Sequence, residues 1–153
     1  MELTVGENSY MSLEEAEELI GSELLDTDEE YITWVGLIDD NKIKLIVRGT
    51  RLVDQLPFLG CKAELNNRQM LHWPRLINNV KVECPSDIKL ALLKQVLRDY
   101  KTKDKHETKL QEMGVKSYSI NKASISFGDK NTTKLENGVY NDIYYELLRK
   151  WMV

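Results

Sequence analysis

The spacing of apolar residues along this chain alternates between helical and extended periods, and the switches divide it into segments. In "YMSLEEAEELIGSE", Leu13, Ala16, Leu19 and Ile20 share one helical face, Ser12 and Glu15 form a capping box, and Gly21 offers a stop. "DTDEEYITWVGLI", residues 26–38, reads as a loop or short helical turn with Tyr31, Trp34 and Leu37 pointing inward. A second helix is expected from about Asp40 to Leu56, ended by Pro57. Its inner stripe is Ile43, Ile46, Val47, Thr50 and Val53, widened by Leu45 and Leu52, while Lys44, Arg48 and Arg51 face outward.

Residues 57–85 lack a helical period, and Pro74 restricts Trp73 to an extended backbone. A connection of that length in a compact domain usually serves function or meets a neighbour. "NVKVEC", residues 79–84, fits a short strand because Val80 and Val82 alternate with charges. Pro85, Ser86 and Asp87 then open a third helix, apolar almost all round from Ile88 to Leu97, which reads as the centre of the core. It runs on into the charged "KTKDKHETKLQEMG" and stops at Gly114. In "VKSYSINKASISFGD" the period falls to two, with Asn121-Lys122 as the turn of a β-hairpin. After a polar linker, "VYNDIYYELLRKWMV" returns to helical spacing and either folds back on the core or docks into a partner. The fold expected is mainly α: a small helical bundle over 1–114 with a long loop between its second and third helices. A β-hairpin at 115–128, a linker at 129–138 and a C-terminal docking helix at 139–153 complete it.

Charge changes this picture more than composition does. Residues 1–41 hold 13 acidic side chains and neither Lys nor Arg, which leaves 12 acids against all 21 basic residues in the rest of the chain. Such polarity suits contact between copies, acidic face to basic face, or a basic surface for a polyanion. With 153 residues, 42% of them hydrophobic, the chain is long enough for one real core, and no apolar run suits a membrane span or a signal peptide. A cytoplasmic protein is the default expectation.

Candidate chemistry is sparse. Cys61, His72, Cys84 and His106 are too widely spaced for the close ligand pairs of a zinc site, so neither metal nor cofactor is expected. No G-x-S-x-G elbow, dinucleotide fingerprint or P-loop occurs, and the acidic pairs sit at helix starts where the dipole accounts for them. No catalytic residues are assigned, and the chain reads as a non-enzyme. Lys101, Lys103, Lys105 and Lys109 could contact phosphates, but Asp104 and Glu107 dilute the run and no aromatics interleave it.

The order "NSYMSLEEAEELI", "RLVDQLPFLGCKA", "WPR", "CPSDIKLALL", "GVKSYSI", "ASISFGD" and a final aromatic helix resembles the head–tail connector (adaptor, head-completion) proteins of long-tailed bacteriophages. Members of that group also carry the description DnaT-like single-stranded-DNA-binding protein. The segment 26–38 departs from the pattern, lacking the alanine-rich, Trp-bearing helix usual there. The resemblance implies a structural virion protein, assembled in the host cytoplasm and placed in the neck between head and tail. There it would form a ring, commonly of twelve copies, that docks under the portal and extends the DNA channel toward a tail or tail-completion protein. Carried over, Ile143, Tyr144, Leu147, Leu148 and Trp151 would be the portal-binding face. Tyr118, Ile120, Ile125 and Phe127, with Trp73 and Arg75, would lie between subunits, Trp73 anchoring its loop on the bundle and Arg75 reaching an acidic neighbour. Lys101, Lys103, Lys105 and Lys109 would face the channel that packaged DNA crosses. The alternative reading is a single-stranded-DNA-binding accessory protein of replication.

Overall fold

The computed structural model describes residues 2–64, 69–113 and 138–153, with side chains given for all of these except 103–113. Helix α1 (Leu13–Glu23) starts where the Ser12 hydroxyl accepts the Glu15 N–H at 3.1 Å, satisfying one of the donors a helix start leaves open. It passes Gly21 and ends at an extended Leu24, so the glycine is not its stop. The 26–38 segment contains a true helix, α2 (Glu29–Val35), and it bears a tryptophan. Trp34 is buried, its Nε1 donates to Glu17 Oε2 at 2.9 Å, and the Lys42 ammonium lies 4.9 Å from its ring centre. A partnered indole of this size is enough to fix a helix that local propensity alone would leave marginal.

Helix α3 (Asp39–Asp54) buries Leu45, Ile46, Val47, Thr50 and Val53 and leaves Lys44, Arg48 and Arg51 exposed, as its period predicts. Helix α4 (Ser86–Met113) is the central element, packed by α1, α2, α3 and the C-terminal segment, with Ile88, Ala91, Leu92, Leu93, Gln95, Val96 and Leu97 buried. Gly49 lets α3 approach α4 closely: a Cβ there would stand 2.6 Å from Leu92 Cδ2 and 2.9 Å from Val96 Cγ1.

Between α3 and α4 the long connection holds a three-stranded antiparallel sheet, β1 (Cys61–Lys62), β2 (Arg75–Ile77) and β3 (Val80–Val82), in the order β1-β2-β3. Ile77 pairs with Val80, so Asn78 and Asn79 form a two-residue turn with φ of 52° and 64°. Positive φ at both positions is what the tight hairpin twist requires, and asparagine tolerates it. Gly60 (φ +76°) lies against β2, where a Cβ would fall 2.0 Å from the Leu76 carbonyl oxygen. The mainly α class is therefore as expected, with the β structure of the long loop richer than the single strand read from sequence. The hairpin expected at 115–128, and with it Tyr118, Ile120, Ile125 and Phe127, lies outside the described residues, as does most of the 129–138 linker.

The C-terminal segment is not a regular helix. One short α-helical turn (Asn141–Ile143) opens into a π-type turn (Tyr144–Leu148) and closes with a 3-10 turn (Arg149–Trp151). Ile143 and Leu148 are both buried although they are five residues apart, a spacing that a π turn aligns and an α-helix does not. Val139, Tyr140 and Met152 join them in the core. The chain end is pinned by Val153 N–H donating to Pro57 O and Leu59 N–H donating to Trp151 O, both at 2.9 Å.

Candidate functional site

Two regions carry concentrated chemistry, and they share a border at the C-terminus. The first is the turn before β1. Arg75 is buried, and its guanidinium donates to the carbonyl oxygens of Leu59 (2.7 Å), Gly60 (2.8 Å), Phe58 (3.3 Å) and His72 (3.4 Å), with His72 Nδ1 at 3.2 Å. Trp73, also buried, stacks edge-on against Phe58 (5.4 Å) and Trp151 (5.9 Å). Asp54, at the end of α3, accepts the His72 N–H at 2.8 Å and the Tyr10 hydroxyl, which ties the N-terminal segment to the same loop. Burial, and then the Asp54 hydrogen bond and charge, push the Tyr10 phenol well above its ordinary value. This cluster is a structural clasp. Trp73 anchors the loop on the core, and the Arg75 guanidinium is occupied by backbone oxygens of its own chain. Cys61 is exposed and Cys84 half-buried, and burial raises the Cys84 thiol to about 12.

The second region is the outer surface of the C-terminal segment. Its root is held by polar contacts to α4. Gln95 Oε1 accepts the Tyr140 N–H at 3.0 Å, Gln95 Nε2 donates to Gly138 O at 3.1 Å, and the Tyr140 hydroxyl donates to Asp99 at 2.9 Å. Arg98 joins Asp142 (2.6 Å) and Glu30 (3.2 Å) and lies 5.0 Å from the Tyr140 ring, linking α2, α4 and this segment. Burial disfavours the Asp142 charge, but the Arg98 hydrogen bond and charge outweigh it and hold the carboxyl below the ordinary range. Facing outward, Tyr145 is 59% exposed, with Tyr144 edge-on at 5.1 Å and the Arg149 guanidinium 5.6 Å from its ring centre. Lys150 lies 5.8 Å from the Trp151 ring and pairs with Asp87.

The residues singled out from sequence are thus divided. Of the expected portal-binding face, Ile143 and Leu148 are buried in this chain's own core, while Tyr144, Leu147 and Trp151 are half-buried. While the segment sits here, Ile143 and Leu148 are not free to meet a partner, whereas Tyr144, Leu147 and Trp151 keep part of their surface open. Lys101 lines a small cleft between α2 and α4 together with Glu29, Glu30, Leu97, Arg98 and Thr102. The side chains of Lys103, Lys105 and Lys109 lie outside the described ones. Sequence reasoning passed over Tyr145 and Arg149, whose separation of four residues is the available signal. Among the described residues, no group of three or more His, Cys, Asp or Glu could hold a metal ion, and no helix is long and apolar enough to cross a membrane.

Fold and surface together define a mainly helical domain whose C-terminal turn presents exposed aromatic and cationic side chains side by side. The chain belongs to the family described as "Putative DnaT-like ssDNA binding protein", whose model matches residues 2–152. The match supports that part of the resemblance and carries no mention of a head–tail connector. Comparison with curated proteins and with solved structures gives no match.

Proposed function

We propose that this chain is a non-enzymatic protein that binds single-stranded DNA. The observation that carries the reading is the family match over residues 2–152, whose description names that ligand. The exposed pairing of Tyr145 with Arg149 is consistent with it, since single strands are gripped by stacking on aromatic rings and by cations along the backbone. The test is titration of the purified protein with a labelled oligothymidylate at several salt concentrations. Binding that weakens as salt rises supports the reading, and no binding at low salt overturns it.

A second reading, a ring-shaped virion connector between portal and tail, is favoured by the motif order and by one further observation. Helix α2 and the turn after it expose Ile32, Val35 and Ile38 in the acid-rich first quarter, while α3 exposes Arg48 and Arg51. An apolar acidic surface and a basic one on the same chain suit head-to-tail contacts that close into a ring. In that reading the partners are further copies of the chain, a portal protein and a tail-completion protein, and the place is the virion neck. Negative-stain micrographs of the protein with portal separate the two: rings support the connector, and their absence removes it.

A further inference from the structure

The geometry points to the outer face of the C-terminal turn as the place where a single strand is held, with a base stacked on Tyr145 and a backbone phosphate on Arg149. This assignment rests on the single-strand-binding reading above. Tyr145 is a largely exposed ring on an otherwise well-packed segment, and the π-type turn is what puts it there. By aligning Ile143 with Leu148 toward the core, the wider turn leaves Tyr145, Glu146 and Arg149 outside. Arg149 follows four residues after Tyr145 and steadies the ring from 5.6 Å, while Tyr144 packs against it edge-on. The ring is therefore held in one orientation before any ligand arrives, which lowers the ordering cost of stacking.

Charge around the turn decides what kind of binding follows. Arg149 is exposed and has no ion pair among the described residues, but Lys150 is paired with Asp87, and Glu146 stands exposed on the same turn. Cations and carboxylates at this end nearly cancel, and the whole chain carries a net charge of -4. The grip must come chiefly from stacking, with about one phosphate neutralised. That distinguishes it from a basic groove: affinity falls shallowly with salt, with a log–log slope of roughly -0.7 for a single phosphate. Duplex DNA, whose bases are already stacked, competes poorly.

The experiment is fluorescence anisotropy of a labelled oligothymidylate with the full chain and four variants, Tyr145→Ala, Tyr145→Phe, Arg149→Ala and Glu146→Gln. All three positions are exposed, so circular dichroism should be unchanged. Tyr145→Ala is expected to weaken binding about tenfold to a hundredfold, and Tyr145→Phe to retain it. Arg149→Ala should flatten the salt slope, and Glu146→Gln should tighten binding, which a merely structural role for this turn would not produce. If the parent protein binds but Tyr145→Ala and Arg149→Ala bind as it does, the site is elsewhere and the single-strand reading stands. If duplex competes equally, base stacking is not the grip, and the site and the single-strand preference both fall. If the parent protein does not bind, that reading falls and the assignment with it.

Discussion

Replacing Arg75 with alanine removes the donor that collects four backbone oxygens around the turn before β1. The guanidinium reaches Leu59 O at 2.7 Å and Gly60 O at 2.8 Å, and more weakly Phe58 O at 3.3 Å and His72 O at 3.4 Å, from a side chain that is 7% exposed. A hydrogen bond from a charged donor contributes about 1.5–3 kcal/mol, and a buried acceptor left unpaired costs about 1–3 kcal/mol. The two short bonds dominate, and water can reach part of the turn because Gly60 is exposed. A loss of about 3–4 kcal/mol is therefore expected, a large fraction of the roughly 5–15 kcal/mol that holds a domain of this size together. In urea, with a slope of about 2 kcal/mol per molar, the midpoint should fall by about 1.5–2 M. Arg75→Lys should recover less than half, because an ammonium cannot span the fork of carbonyls a guanidinium serves. A midpoint shift in Arg75→Ala below about 0.3 M would refute the clasp. The sequence-level expectation of an intersubunit Arg75 predicts the reverse, an unaltered monomer that fails to associate.

Deleting residues 139–153 should unfold the domain, because Val139, Tyr140, Ile143, Leu148 and Met152 are buried and contribute about 1.5–3 kcal/mol each, which circular dichroism would show. With a thiol reagent at mildly alkaline pH, the native protein should label once, at exposed Cys61, and a second time only on unfolding, since burial holds the Cys84 thiol at about 12. Two equally fast labels would contradict that burial. Stability should fall at both ends of the pH scale. Asp142 has a lowered folded value, so its contribution is present above the ordinary carboxylate range and disappears as pH falls through that lowered value. Tyr140 is raised by burial, and then by the Asp99 hydrogen bond, from 10.0 to about 12, so its contribution is complete below 10.0 and disappears as pH rises toward 12. Urea midpoints measured across pH should show both flanks, and Asp142→Asn should remove much of the acid one.

What the sequence disclosed was whatever neighbouring residues decide among themselves. The Ser12–Glu15 cap needs four residues, and the α3 stripe and the apolar run of α4 need one helix each. Helix α2 escaped because its seven residues are stabilised from outside, by Glu17 and Lys42 around Trp34. The β2–β3 hairpin escaped because Asn78-Asn79 lacks the glycine that usually marks such a turn, although asparagine serves when both positions need positive φ. Trp73-Pro74-Arg75 stood out as a motif, but its meaning lay in carbonyls 15–17 residues away, and a donor for backbone oxygens leaves no trace in composition. The aromatic spacing of the C-terminal segment leaves two outcomes open, folding back on the core or docking into a partner, and a helical period cannot choose between them. Ile143 and Leu148 align through a π turn and complete the domain's own core.

That last point constrains either functional reading. The C-terminal segment cannot be core and free arm at once, and its five buried side chains set the scale of the choice. Withdrawing it would expose apolar surface worth on the order of 8–15 kcal/mol, with the Arg98–Asp142 pair and the Gln95 contacts to Gly138 and Tyr140 lost as well. A partner that drew the segment out would have to supply a comparable interaction in its place, since a ligand shifts an equilibrium only by its differential affinity for the two states. A partner that leaves it in place faces no such cost and meets what the core does not use: Tyr145, Arg149 and the half-buried edges of Tyr144 and Trp151. In the connector reading with portal docked on this segment, a DNA strand and the portal protein would compete for the same turn. Loss of oligonucleotide binding on adding portal would show that they do, and simultaneous binding would mean that one of them uses another face.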